Sequence, residues 1–250
     1  MVNFEYGIYF NGVQLPSFVI VKSIENPLLS EVSNTVVDSE VGYKHKKINF
    51  GSKVVKIEIS LERLGILSDF QQQQELLKWI KGDNWKESRL ILPDNIDVHY
   101  MAICNNAINF KNEDIESLGT IEFLICNPYR IANKPRIINI NNMKNYSSLG
   151  NVDIKPRIIF NVTSNCSEIK LSLKNKKYDN FIRFKHNFLV GDELVIDMET
   201  KKVTLNGDLM MSILTLDSKF HEIDYNLTDN NYNLDIGSAD VEIEIIPMWQ

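Results

Sequence analysis

The stretch Lys53-Val54-Val55-Lys56-Ile57-Glu58-Ile59-Ser60-Leu61 decides the fold class. Val55, Ile57, Ile59 and Leu61 fall on one side of an extended chain, and Lys56, Glu58 and Ser60 on the other, because successive side chains of a strand point to opposite faces. Such a segment is a strand with one dry face and one wet face. Its neighbours repeat the theme of short apolar, β-branched runs separated by turn residues, the pattern of a mainly-β protein.

Upstream, Tyr6–Phe10 and Gln14–Val21 flank Asn11-Gly12, a pair that tolerates the positive φ angles of a two-residue hairpin. Downstream one segment breaks the strand pattern. Ser68-Asp69-Phe70-Gln71 reads as a capping box. Phe70, Leu77 and Ile80 recur at helical spacing, Leu76 and Trp79 widen the stripe, and Gln71–Gln74 with Lys78 supply a polar, solvent-facing surface. Gly82 follows as a left-handed C-cap, so a helix is predicted over about 69–81. Strands resume at Arg89–Leu92, Val98–Cys104 and Gly119–Cys126, with turns at Pro93-Asp94-Asn95 and Lys111–Asp114.

Past Tyr129 the texture turns to Asn, Lys and Ser, with Pro135 and a closing Ser147-Ser148-Leu149-Gly150. The division expected from this is an N-terminal domain over 1–133, a linker over 134–149 and a C-terminal domain over 150–250. In the last part Arg157–Val162, Glu168–Leu173, Asn180–Phe184, Glu193–Asp197, Lys202–Leu205, Leu209–Leu214 and Asp240–Ile246 read as strands. Thr200-Lys201 and Asn206-Gly207 are turns between them. Closely spaced strands of this kind favour a two-sheet sandwich.

Composition narrows the function. The 250 residues are 44% hydrophobic and 24% charged, which is ordinary for a globular chain, and the net charge of −6 gives no basic field for gripping nucleic acid or an anionic membrane. No stretch reaches the roughly 20 apolar residues that span a bilayer. The opening residues lack a basic n-region and a long apolar segment, so the expectation is a protein without a signal peptide, made and folded in a cytoplasm. Cys104, Cys126 and Cys166 are odd in number and scattered, each in or beside an apolar run where cysteine packs as a small hydrophobe.

Patterns for catalysis, cofactor binding and metal binding fail at named positions. No two glycines stand at i and i+2, so a dinucleotide-binding loop is impossible. Gly7 and Gly12 have P-loop spacing, but Val13-Gln14 follows where Lys-Ser/Thr must reach phosphate and magnesium. No nucleophile elbow is present. His45, His99, His186 and His221 are too dispersed to offer two ligands from one local element. Asp229, Asn231 and Asn233 imitate positions 1, 3 and 5 of a calcium loop, with Asp240 at position 12. Leu234, however, stands where the sharp turn needs Gly, and a polar loop between strands is the simpler reading. Glu113-Asp114, Asp94 and Asp97 lie in turns. The basic run Lys44-His45-Lys46-Lys47 reads as a solvated hairpin tip before a strand at Ile48–Phe50, or as a rim contact with an acidic partner. No catalytic, cofactor-binding or metal-ligating residue is assigned, and no enzyme activity is expected.

The order of elements resembles the N-terminal domain of the distal tail (Dit) protein family of siphophages. It starts with the strand into Phe10-Asn11-Gly12 and an apolar strand ending near Ile24. Lys53–Leu61 follows, then the helix with Leu76-Leu77 and Trp79-Ile80, Leu90-Ile91-Leu92 with its turn at Asp94, and the aromatic strand His99-Tyr100-Met101-Ala102. Phe123-Leu124-Ile125-Cys126-Asn127-Pro128-Tyr129 is similar to the F-x-C-x-D-P-Y closing stretch of that family, with Asn127 in place of Asp. The resemblance covers residues 1–133, and the second half resembles the family's galectin-like β-sandwich by strand count and position.

The resemblance implies a β-sandwich or barrel-like first domain with one inserted helix. It also implies a structural role as a homohexameric ring in the virion, at the tail tip, joining the tail tube to the tail-tip or baseplate hub protein. The tape-measure protein would be a further partner, with no cofactor and no membrane contact, and DNA would pass only through the lumen. An acidic lumen would let DNA slide without sticking. The alternative is a carbohydrate-binding module contacting cell-wall glycans, since galectin-like sandwiches can hold sugars. It is weakened by Trp249 being the only tryptophan of the second half.

Overall fold

A computed structural model describes residues 7–39, 42–62, 69–106, 108–113, 116–139, 150–152, 155–174, 179–219, 231–236 and 238–250. The chain divides into two compact units, Met1–Arg130 with Gln250, and Ile131–Trp249.

In the first unit β1 (Tyr9–Phe10) and β2 (Val13–Gln14) form the expected hairpin, Phe10 facing Val13. Its turn residues Asn11 and Gly12 have φ of 50° and 76°, the left-handed pair that a tight hairpin requires. β3 (Val19–Glu25), β4 (Val32–Ser39), β5 (Gly42–Phe50) and β6 (Lys53–Glu62) follow. After α1 (Asp69–Lys81) come β7 (Ser88–Ile91), β8 (Val98–Cys104), β9 (Lys111–Glu113) and β10 (Glu116–Ile125). The sheet order is β2-β1-β7-β8-β10-β6-β3, with β9 beside β10, while β4 and β5 make a two-stranded sheet of their own.

The opening strand behaves as its alternation demands: Val55, Ile57, Ile59 and Leu61 are at most 2% exposed. One wet-face position departs. Ser60 is also fully buried, because its row runs between Ile20 of β3 and Leu118 of β10, which makes that stretch of the outer face apolar. Helix α1 lies over the dry face with Trp79 against Phe10 and Phe123, ring centroids 5.8 and 6.0 Å apart. The Trp79 indole donates to the Val13 carbonyl at 2.8 Å.

The buried stripe of α1 is Gln72, Leu76, Trp79 and Ile80, spaced i, i+4, i+7 and i+8, and not the Phe70–Leu77 line expected from the sequence. Phe70 and Leu77 face solvent, and Gln72 inside the glutamine run is buried. The rotation follows from the indole: seating Trp79 on the Phe10–Phe123 pair fixes which side of the helix goes in. Ser68 of the expected capping box lies outside the described residues. Gly82 ends the helix at φ +52°, and a Cβ there would sit 2.7 Å from the Phe10 ring. Lys111–Glu113, expected as part of a turn, is a strand paired to Glu116–Leu118, so Glu113 sits in a ladder; Asp114 is outside the described residues.

The division falls within β11 (Arg130–Ala132), and the second unit goes on with β12 (Arg136–Asn139), β13 (Arg157–Ser164), β14 (Cys166–Lys174) and β15 (Asp179–Phe188). Next are β16 (Glu193–Asp197), β17 (Lys202–Leu205), β18 (Asp208–Leu209), a 3-10 turn at Met211–Ile213, β19 (Asn231–Ile236), β20 (Ser238–Ile245) and β21 (Met248–Trp249). A six-stranded sheet, β12-β20-β13-β16-β17-β18, and a three-stranded sheet, β15-β14-β19, form the two layers. Phe160 of one meets Phe184 of the other edge to face at 5.8 Å, inside a core that includes Ile158, Ile169, Leu171, Ile182, Val241 and Ile243. The fold is mainly β with one α-helix among the described residues, as the sequence pattern implies.

Three segments of this unit differ from expectation. Arg136–Asn139, inside the stretch read as linker, pairs with Glu242–Ile245, and Ile138 is fully buried in the core; residues 140–149 lie outside the described residues. Leu209–Leu214 is a two-residue strand end and a 3-10 turn, because Asn206-Gly207, at φ 53° and 88°, reverses the chain into a short hairpin. Asn231–Ile236, whose start was read as polar loop, is a strand along β14.

Candidate interaction surfaces

Residues singled out for chemistry do not converge. Among the described residues no group of His, Cys, Asp and Glu is arranged to hold a metal. His99 is buried in β8, His186 packs edge-on to Phe188 at 5.4 Å, and His221 lies outside the described residues. Cys104 and Cys166 are half-buried as expected of small hydrophobes, but Cys126 is exposed, since it follows the last paired residue of β10. The calcium-loop imitation is broken by the backbone: Asn231 and Asn233 lie in an extended strand, opposite Lys174 and Ser172. A calcium loop must curl around its ion. Asp229 and Asn230 lie outside the described residues.

What the first unit does build is a polar clamp on its closing stretch. Arg130 follows the Phe123–Tyr129 segment, donates its Nε–H to the Tyr100 hydroxyl at 2.6 Å and pairs with Asp94 at 2.6 Å. Lys53, 6% exposed at the start of β6, donates to the same hydroxyl at 3.0 Å. Both cations also stand over the Tyr100 ring, at 4.9 and 5.3 Å from its centroid. Burial pulls the Arg130 guanidinium down, but Tyr100 and Asp94 outweigh it and hold it above its ordinary value. Asp94, Tyr100 and the closing stretch are separate landmarks in the sequence. The clamp ties them together, and no spacing along the chain pairs them.

Two surfaces of this unit face outward, and a third feature, a strand ribbon, pairs with no other strand among the described residues. The first is an apolar groove of about 320 Å³ beside α1, lined by Leu76, Leu77, Ile80, Trp85, Ile108 and Phe110. The second is the face of β3, β6 and β10 opposite the helix, an open groove of about 570 Å³ where Glu25, Glu58 and Glu122 surround Lys56. Lys56 Nζ lies 3.9 Å from Glu25 and 4.0 Å from Glu122, and the Ser23 hydroxyl donates to Glu58 at 2.7 Å.

The third is the β4–β5 ribbon. Lys44-His45-Lys46-Lys47 lies within β5, paired to Thr35–Val37 with a bulge between Thr35 and Val36, rather than at a hairpin tip. The closing pair of the ribbon, Ser39 with Gly42, lies upstream of this run. The sequence hid this because β4 is Ser-, Asn- and Thr-rich and its apolar alternation is weak.

In the second unit one end of the sandwich is held by Asp192. Its carboxylate accepts from the Leu189 backbone at 2.8 Å and from the Asn206 side chain at 2.9 Å. These contacts, the Asn206 bond first, hold the Asp192 carboxyl below its ordinary value. Leu189 and Val190 stand exposed on this pinned turn.

Comparison with known proteins gives these surfaces a setting. Residues 149–249 match the family described as the siphovirus-type tail component, C-terminal domain. The distal tail protein Dit of phage SPP1, described as a paradigm of the hub adsorption apparatus in phages infecting Gram-positive hosts, aligns over 98% of this chain and 99% of its own length. The TM-score is 0.75 and the sequence identity 11%. The phage P2 baseplate in its activated conformation with calcium aligns at a TM-score of 0.47 and 10% identity, over 92% of this chain and 90% of that one. No curated protein matches the sequence.

The family match places a siphovirus-type tail component C-terminal domain at residues 149–249. The chain as a whole has the fold of the SPP1 distal tail protein.

Proposed function

We propose that the chain is the structural hub of a phage or phage-tail-like particle, a homohexameric ring at the tail tip that joins the tail tube to the tail-tip or baseplate protein. The observation that carries this reading is the Dit fold along nearly the whole chain, together with the tail-component match of residues 149–249. The first unit would form the ring, the second would project from it, and the tape-measure protein and passing DNA would occupy the lumen. The role is non-catalytic: its residues supply sheet edges, an apolar groove and charged faces, which suit repeated protein contacts. The protein would be made in the bacterial cytoplasm and reside in the virion.

Immunogold labelling of particles with antibody against the chain tests this. Label at the end of the tail away from the head is expected, and label on the head alone would refute it. Glycan binding by the second unit is the weaker reading, because the partner surface it needs is an exposed aromatic platform and Trp249 is only partly exposed.

A further inference from the structure

We propose that Asn11 is a site of spontaneous deamidation, attacked by the backbone nitrogen of Gly12, while the matching pair Asn206-Gly207 is held inert by its side-chain contacts.

The sequence contains these two Asn-Gly pairs, and the fold puts both in the same kind of turn. Asn11-Gly12 joins β1 to β2 and Asn206-Gly207 joins β17 to β18, each as a two-residue hairpin. The φ angles are 50° and 76° in the first and 53° and 88° in the second. All four residues are exposed, and a Cβ on either glycine would touch nothing within 4 Å. Glycine matters here because its nitrogen can reach the preceding side chain with no Cβ in the way. Backbone and access are matched, so the side-chain partners decide the outcome.

Asn206 is locked. Its Oδ1 accepts from the Glu193 backbone N–H at 2.9 Å, and its Nδ2 donates to the Asp192 carboxylate at 2.9 Å. Turning Cγ toward the Gly207 nitrogen breaks both bonds. The Asp192 charge also opposes the negative charge that builds on that nitrogen as its proton leaves. Asn11 has no such hold. Among the described residues its side chain makes no hydrogen bond, while its backbone N–H donates to the Arg89 carbonyl at 2.9 Å.

The step needs only water. The Gly12 nitrogen gives up its proton and bonds to Cγ of Asn11; the Cγ–Nδ2 bond breaks, and ammonia leaves with a proton. Water then opens the cyclic imide at either carbonyl, giving aspartate or the isomer whose backbone runs through the side chain. Both products add a negative charge, and the isomer lengthens the turn. That turn lies between Phe10, buried in the core, and Val13, whose carbonyl accepts the Trp79 indole.

The test incubates the full chain in mildly alkaline water enriched in heavy oxygen, folded and in denaturant, and follows both pairs by peptide mass spectrometry. In the folded chain Asn11 should take up label at least about tenfold faster than Asn206, the two hydrogen bonds setting the scale. In denaturant the two rates should converge. Asp192→Ala, checked for wild-type circular dichroism, should speed Asn206 toward the Asn11 rate. The wild-type comparison stands whether or not that variant folds. Asn206 reacting as fast as Asn11 in the folded chain, or no product at Asn11 there, would overturn the proposal. An unchanged Asn206 rate in folded Asp192→Ala would overturn the protective role of its contacts.

Discussion

At Lys53 an ammonium is almost wholly buried, with the Tyr100 hydroxyl as its acceptor and Arg130 on the other side of the same oxygen. Removing that oxygen leaves a buried cation without its hydrogen bond, which is far costlier than the loss of an exposed pair. Tyr100→Phe should therefore lower stability by about 2–4 kcal/mol in denaturant unfolding. Adding Lys53→Met in the same chain should recover part of the loss, because no charge is then stranded. Equal stability of wild type and Tyr100→Phe would show that the clamp contributes nothing. Gly82→Ala should cost at least about 1 kcal/mol from the left-handed backbone, before the close approach to Phe10 is counted. A chemical-denaturation midpoint shift reads it directly.

Among the elements, α1 shows what patterning reveals and what it hides. The helix and its glycine stop are legible in Asp69–Gly82, since composition and period both change there. Which face turns inward is not, because Phe70, Leu76, Leu77, Trp79 and Ile80 supply apolar residues on two overlapping stripes. The choice is made by the aromatic contact of Trp79 with Phe10 and Phe123, residues remote in sequence. Leu76→Ala should cost about 2–5 kcal/mol and Leu77→Ala under about 1 kcal/mol; the reverse order would put the wrong face inside.

The strands divide in the same way. Lys53–Leu61, Asn11-Gly12 and Asn206-Gly207 announce themselves through alternation or turn chemistry. Arg136–Asn139 and Asn231–Ile236 do not. One sits in an Asn- and Lys-rich stretch behind Pro135, the other is half polar, and each becomes a strand because a neighbour, β20 or β14, offers it an edge.

The β16–β17 turn gives a pH dependence with a definite sign. Burial raises the Asp197 carboxyl, but the Thr200 and Glu199 backbone N–H groups, at 3.0 and 2.8 Å, outweigh it and hold the group below its ordinary value. Its stabilisation is present above that unfolded value and is lost as pH falls through the lower folded one. Asp197→Asn should flatten the acid limb of stability against pH, measured by thermal melts between about pH 2 and 6. An unchanged limb would mean that the turn carries no such linkage.

For the whole molecule, fold class was legible because strand patterning runs through both halves, and the absence of phosphate, metal and nucleophile motifs was legible position by position. The surfaces of the first unit were not. The acidic face gathers Glu25, Glu58 and Glu122 from three strands far apart in sequence, and the ribbon's isolation is a property of sheet order alone. Native mass spectrometry of the intact chain at low salt tests assembly into a ring. A closed species of six copies of the 28.9 kDa chain is expected. A chain that remains monomeric under those conditions, at every concentration tried, would contradict it.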